Sequence, residues 1–301
     1  MFPGNKNIVI DNLQCKLFTD CAIEVSVLRL DKLHPVVSGN KLFKLHYFIE
    51  EAITDRCPEV ITFGGAFSNH LLATAFACHE IHIKSIGLVR GEKPAVLSHT
   101  LQHCTEYGME LQFLSRDAYI KRNDVSFSHQ LIDKYPGAMI IPEGGYHPMG
   151  ARGAALIGNY LQGKNFSHIA CAMGTATTIA GLLSAANSNQ QVIGIQVLKG
   201  ITDTAGRLKY LIDDNYLAEN LLLTDDYCFN GYAKKDSALI AFMNILFETQ
   251  QIPTDFVYTA KMMYGIYDMA LQGKFEAGSH IVCIHTGGLQ GNGSLLGELV
   301  F

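Results

Sequence analysis

With 301 residues, 48 % of them apolar and only 17 % charged, the chain has enough apolar mass for two modest domains around buried sheets. A net charge of -5 without a basic run argues against nucleic acid as a partner. No stretch reaches the ~18 uninterrupted apolar residues of a membrane span, and Met1 to Lys6 shows no apolar secretory core, so a cytoplasmic setting off the membrane is expected.

The elements alternate in type along the chain. Ser38-Gly39-Asn40 precedes Lys41, and Leu42, Leu45, Phe48, Ile49 and Ala52 recur with helical period, which predicts an amphipathic helix opening at Lys41. Strands are predicted over 60–63, 83–89, 110–114, 138–141, 168–173, 192–197 and 280–285. Helical patterns carry Leu71, Leu72, Ala75 and Phe76, start again near Thr177, and return over 236–248 and 260–272. Such alternation is the pattern of a mostly parallel α/β sheet. Gly144-Gly145 and Pro148 mark a candidate domain break near 145–150. The eight cysteines are scattered without a C-x-x-C pair, so neither a disulfide framework nor a zinc cluster is expected; the twelve histidines show no H-E-x-x-H, and no metal centre is expected.

Four predicted strands end in glycine-containing turns: Gly64-Gly65, Gly144-Gly145, Gly174-Thr175 and Thr286-Gly287-Gly288. Ligands of open parallel sheets bind beyond the carboxyl ends of the strands, and glycine there lets backbone approach them closely. Met173-Gly174-Thr175-Ala176-Thr177-Thr178 joins a strand to a helix and offers N–H groups and hydroxyls to an anion, or else is a threonine-capped helix start. It lacks both the G-K-[ST] of a P-loop and the G-x-G-x-x-G of a dinucleotide site. Ser68 sits where a helix N-cap is expected, with Asn69 and His70 opening the helix, and can serve capping or a carboxylate ligand. Lys41 and Lys44 are three apart on one helix face. Taken alone, such a pair more often marks a solvated helix face; buried, it needs an anionic or covalent partner. A carbonyl cofactor bearing a phosphate satisfies both, one lysine as Schiff base and the other as counter-ion.

Together, Ser38-Gly39-Asn40-Lys41-x-x-Lys44-Leu45, Gly64-Gly65-x-x-Ser68-Asn69-His70, the Gly174–Thr177 loop, Val257-Tyr258-Thr259-x-Lys261 and His285-Thr286-Gly287-Gly288 resemble the fold-type II pyridoxal-phosphate enzymes. Within that tryptophan synthase β superfamily, the branch of 1-aminocyclopropane-1-carboxylate (ACC) deaminases and D-cysteine desulfhydrases is most similar. The resemblance implies an α/β fold of two three-layer, open twisted, mostly parallel sheets with helices on both faces. A smaller substrate domain (43–147) would be inserted in a larger cofactor-binding domain (1–42 plus 148–301), and the protein would be a homodimer. It implies pyridoxal 5'-phosphate as cofactor and a small amino acid as substrate. Lys41 would form the covalent link and move the proton. Lys44 and the backbone of Gly174, Thr175, Ala176 and Thr177 would hold the phosphate. Asn69 would bond the ring hydroxyl and Thr286 the ring nitrogen. Ser68, Asn69, His70, Tyr258 and Thr259 would meet the substrate, with Ser68 and Tyr258 assisting the chemistry.

Burial beside Lys44 should depress the Lys41 pKa, and a neutral threonine at the ring nitrogen leaves a weaker electron sink, suited to α-proton removal and β-elimination. ACC deaminases of the branch typically carry glutamate where Thr259 stands and leucine where Thr286 stands, whereas the desulfhydrases carry hydroxyl residues at both. The two threonines therefore favour D-cysteine desulfhydration to pyruvate, ammonia and hydrogen sulfide. The alternatives are ACC deamination to 2-oxobutanoate and ammonia, and a catalytically silent cofactor binder. The chain departs from the family pattern at Leu28-Arg29-Leu30-Asp31, at His70 where glutamine is usual, and in the loop Leu289-Gln290-Gly291-Asn292. His70 is open to two readings, an extra acid or base near the leaving group and a changed contact shell.

Overall fold

The computed structural model describes residues 8–213, 218–295 and 297–301, so the Met1–Lys6 run lies outside it. In chain order the strands are β1 (Ile10–Asn12), β2 (Glu24–Arg29), β3 (Glu59–Gly64), β4 (Lys84–Arg90), β5 (Glu110–Leu114), β6 (Met139–Ile141), β7 (His168–Met173), β8 (Gln191–Gln196), β9 (Leu221–Thr224) and β10 (His280–His285). The helices are α1 (Lys16–Asp20), α2 (Lys41–Thr54), α3 (Asn69–Glu80), α4 (His99–Glu106), α5 (Arg116–Ile120), α6 (Val125–Lys134), α7 (Pro148–Ala155), α8 (Thr177–Ala185), α9 (Thr204–Ile212), α10 (Ser237–Gln250) and α11 (Thr259–Leu271).

Two sheets form. A six-stranded sheet has the order β1-β2-β10-β7-β8-β9 and is parallel except for β1, which runs antiparallel to β2. A four-stranded, wholly parallel sheet has the order β5-β4-β3-β6. The chain leaves the larger sheet after β2 and re-enters it at β7, so all four strands of the smaller sheet come from the segment between. The expected strands are present, and the sequence reading omitted β1, β2 and β9. The candidate break near 145–150 is a 3-10 turn over Glu143–Gly145 followed by α7, whose first residue is Pro148. Proline suits that position because its missing N–H has no helical partner there.

Period-two alternation sends opposite residues of each strand into different cores. On β7, Ile169, Cys171 and Met173 face one core, while Ala170 and Ala172 face another with Met262, Met263 and Ile266 of α11. Ile61, Phe63, Ile86 and Leu88 of the smaller sheet pack on Tyr119 and Leu131 of α5 and α6. Helices thus cover both faces, as parallel sheets require. The largest core joins the two sheets. Its centre is the apolar stripe of α2 (Leu42, Leu45, Phe48, Ile49 and Ala52), lying with α3, α7 and α8 between them. The helix that begins with Lys41 is therefore held from both sides.

Candidate active site

Two close backbone approaches seat the start of α2. Gly39 has φ +88°, and a Cβ there would lie 1.9 Å from the Thr286 carbonyl oxygen. The Asn40 N–H donates to that same oxygen at 3.3 Å. On the opposite side α7 presses its glycine face onto the helix, where a Cβ on Gly153 would lie 2.1 Å from the Phe43 carbonyl. Only glycine permits backbone to come this near. Thr286 is itself anchored: the His285 ring donates from Nε2 to the Pro253 carbonyl at 2.7 Å, and its Nδ1 lies 3.3 Å from the Gly287 nitrogen. Asp31, bonded to Arg29 at 2.6 Å, lies 3.3 Å from the same Nδ1. The departure at Leu28-Arg29-Leu30-Asp31 therefore builds a buried ion pair behind the end of β10.

Lys41 and Lys44 emerge into this enclosure. Lys41 Nζ donates to Asn40 Oδ1 at 2.6 Å and stands 5.8 Å from the centre of the Tyr258 ring. Asn40 is the N-cap residue of α2, yet its side chain caps nothing; its amide donates to Thr178 Oγ1 at 2.7 Å. Lys44 is 4 % exposed and donates to the Gly144 carbonyl at 2.7 Å. Burial lowers the Lys41 pKa to about 8, against a partial opposing pull from Asp255. Lys44 is pushed well below the usual lysine range by burial and then by Lys41. Among the described ion pairs, no carboxylate serves either lysine. A buried cation in that state needs an anion.

The loop after β7 supplies the rest of an anion cradle. Thr175 and Thr177 hydroxyls lie 2.9 Å apart, and a Cβ on Gly144 would lie 3.3 Å from the Thr175 methyl. Gly144, whose carbonyl Lys44 bonds, thus lies between Lys44 and this loop. The helix start differs from a threonine cap: the N-cap is Ala176, left-handed at φ 68° and without a side-chain cap bond. Such a conformation costs a non-glycine residue about 1–3 kcal/mol, the kind of strain that binding sites hold. It leaves the first N–H groups of α8 without a side-chain cap. The neighbouring Gly174 abuts the Tyr258 ring, its would-be Cβ lying 3.4 Å from Cε1.

The Ser68 segment opens α3 as expected. Ser68 Oγ accepts from the Leu71 N–H at 3.3 Å, so its hydroxyl hydrogen stays available to a carboxylate. Asn69 and Gln290 are joined by their side-chain amides. His70 is buried; its Nε2 bonds Thr62 Oγ1 at 2.9 Å, and Thr62 donates onward to the Ile141 carbonyl at 2.8 Å. With Thr62 so oriented the proton sits on Nε2, and Nδ1 is buried with no hydrogen-bond partner of normal geometry among the described residues. Burial, then Lys44 and Lys41, press its pKa to about 3. His70 is therefore neutral near pH 7 and has no imidazolium proton to give.

Tyr258 precedes α11, and its phenol is pushed well above the usual range by burial and then by Tyr232. Thr259, expected at the substrate, is fully buried and faces inward: its hydroxyl donates to Asp255 Oδ1 at 2.7 Å and accepts from the Asp255 N–H at 2.7 Å. Asp255 accepts further from the N–H groups of Val257, Tyr258 and Thr259. Thr259 thus helps fix the turn that presents Tyr258. Two residues that the sequence reading left without a role stand beside this turn. Tyr232 packs edge-on against Tyr258 at 6.1 Å, and fully buried Lys261 ties down its loop through the Cys228 and Gly231 carbonyls at 2.8 and 2.7 Å. Tyr232 follows a glycine but sits in no periodic run, so local sequence carries no signal for it; Lys261 belongs to the quoted Tyr258-Thr259-x-Lys261 motif.

A family model described as "Pyridoxal-phosphate dependent enzyme" matches residues 16–287. The chain belongs to this family. Buried Lys44 and half-buried Lys41 without a carboxylate, the threonine loop and the Thr286 hydroxyl, which has no protein partner among the described residues, all fit that cofactor: a phosphate would neutralise Lys44, and the depressed Lys41 amine would suit a carbonyl partner. Two similar proteins carry the name "Putative 1-aminocyclopropane-1-carboxylate deaminase". That of Thermotoga maritima is 32 % identical over 284 residues, covering 89 % of each chain. That of Pyrococcus abyssi is 27 % identical over 293 residues, covering 92 % of this chain and 88 % of its own. Among solved structures, an ACC deaminase homologue superposes with a TM-score of 0.81 at 26 % identity, covering 97 % of this chain and 94 % of that one.

Proposed function

We propose that this pyridoxal-phosphate enzyme is a lyase of small amino acids that converts D-cysteine and water to pyruvate, ammonia and hydrogen sulfide. The observation that carries the reading is Thr286. Its neutral hydroxyl has no protein partner among the described residues, and its backbone is fixed by Asn40 and His285 at the end of β10. Bound beside it, pyridoxal phosphate supplies an electron-withdrawing ring that eases loss of the α-proton. A threonine cannot protonate the ring nitrogen as an acid would, so the sink favours proton loss coupled to departure of a β-substituent.

The chain's own groups match that task. Lys41, at about 8, exchanges a proton near neutral pH and stands beside Tyr258. The Ser68 hydroxyl and the first N–H groups of α3 hold the substrate carboxylate. Tyr258, kept protonated by burial, can donate to the leaving sulfur. Lys44 and the 174–177 loop hold the phosphate. The second reading, ACC deamination, is favoured by the names of the relatives and opposed by Thr286, since the Thr259 hydroxyl is committed to Asp255.

Hydrogen sulfide from D-cysteine and 2-oxobutanoate from ACC, each measured with the cofactor-loaded protein and with Lys41→Ala, test the proposal. Sulfide release that vanishes in the variant is the expected result. Release of 2-oxobutanoate alone selects the second reading. A protein that stays colourless with added cofactor overturns both.

A further inference from the structure

The unfamiliar loop after Gly288 takes part in the site. Over Leu289–Ser294 it forms a 3-10 turn pinned to both sides of the crevice. The Gln290 carbonyl accepts from His99 Nε2 at 2.7 Å, at the start of α4. The Asn292 amide donates to the Thr254 carbonyl at 2.9 Å, and its Oδ1 accepts from the Phe256 N–H at 3.3 Å. With its backbone so fixed, Gln290 reaches across 221 positions of sequence and donates from Nε2 to Asn69 Oδ1.

In this bond the Asn69 amide acts through its oxygen. Its oxygen is taken by Gln290, so its Nδ2 is the end left over. Nδ2 has no protein partner among the described residues and stands against Gly288, where a Cβ would lie 3.1 Å from it. An asparagine locked in this sense offers a donor and no acceptor, and so suits an oxygen that carries negative charge.

We infer that Gln290 is a positioning residue that locks Asn69 as a hydrogen-bond donor to the ring-hydroxyl oxygen of pyridoxal phosphate. The inference rests on the assignment of Asn69 to that oxygen and deepens it: Gln290 acts through Asn69, by engaging its amide oxygen so that the N–H end is left for the cofactor. An N–H aimed at the oxygen favours its ionised form. Losing the lock weakens cofactor binding and raises the pH at which the visible band of the loaded protein titrates.

Gln290→Ala and Gln290→Glu test it together. In Gln290→Ala the cofactor should dissociate about fivefold more readily, and the band midpoint should rise by about half a pH unit, as expected for one hydrogen bond. Gln290→Glu keeps the size of the side chain but cannot donate to Asn69, so it should be the worse of the two in both measurements. A role in packing alone gives the opposite order, with the nearly isosteric glutamate close to wild type, and overturns the inference. Unchanged affinity and midpoint in both variants overturn it as well. If Gln290→Ala does not fold, Gln290→Glu against wild type still decides. A wild-type protein without a visible band, or a band that persists in Lys41→Ala, instead defeats the underlying cofactor assignment.

Discussion

Replacing Lys41 with methionine should make the cofactor-free protein more stable while destroying its ability to hold the cofactor covalently. In the folded chain the Lys41 pKa falls from 10.5 to about 8. Each unit is worth about 1.4 kcal/mol, so the uncompensated ammonium costs the folded state about 3 kcal/mol near pH 7. Methionine removes that cost, keeps the stem's packing, and loses the bond to Asn40 Oδ1, worth about 1 kcal/mol. The net gain is about 2 kcal/mol, or about 3 °C in Tm for a chain of this length. Because the folded-state pKa is depressed, the unfolded chain binds more protons between about 8 and 10.5. This group's contribution to stability therefore rises with pH across that window, and the rise should be absent from the variant. Calorimetry of both cofactor-free proteins from pH 7 to 10 measures the two effects. A lower Tm for Lys41→Met, or the same alkaline trend in both proteins, refutes the account of Lys41 as a cation waiting for its carbonyl partner.

Three further outcomes follow from the same geometry. Gly39→Ala meets the Thr286 carbonyl at 1.9 Å from a left-handed residue, and should cost at least about 3 kcal/mol by denaturant titration, together with a fall in cofactor affinity. Thr259→Val withdraws a donor from Asp255, and should cost about 2 kcal/mol of stability while leaving the KM for substrate within twofold; a large KM change at unchanged stability would return Thr259 to the substrate. The Asp31 carboxyl is held below its ordinary 3.8, burial being outweighed by His285 and Arg29. Its stabilising contribution is present above the unfolded-state value and lost as pH falls below about 4, so Asp31→Asn should lower stability by about 3 kcal/mol at pH 7 and flatten the acid limb of the stability curve.

The order of strands and helices was legible because it depends on near neighbours. The 3.6-residue stripe of α2, the apolar runs of β3, β4, β7, β8 and β10, and the glycines at their ends are local patterns. Glu24–Arg29 alternates Val25 and Val27 against Ser26 and Leu28, so β2 also carried a local signal that the reading left unused, whereas β1 and β9 are too short to show a period. The lysine pair, the Ser68 cap and the threonine loop could be named as candidates for the same reason: local spacing puts all three at helix starts, and the last two beyond strand ends.

The sequence by itself therefore determined which groups the site could draw on and which elements would carry them. Tertiary structure decided what each group is free to do. It turned the Thr259 hydroxyl inward to Asp255, made His70 an acceptor by placing it between Thr62 and two lysines, brought Tyr232 against Tyr258, and laid Gln290 on Asn69. It also converted Lys41 and Lys44 from an ordinary lysine pair into a cradle short of an anion. Periodicity depends on residues a few positions apart, whereas protonation, amide orientation and hydrogen-bond saturation depend on which distant side chains exclude water from a group, and only the folded chain fixes those.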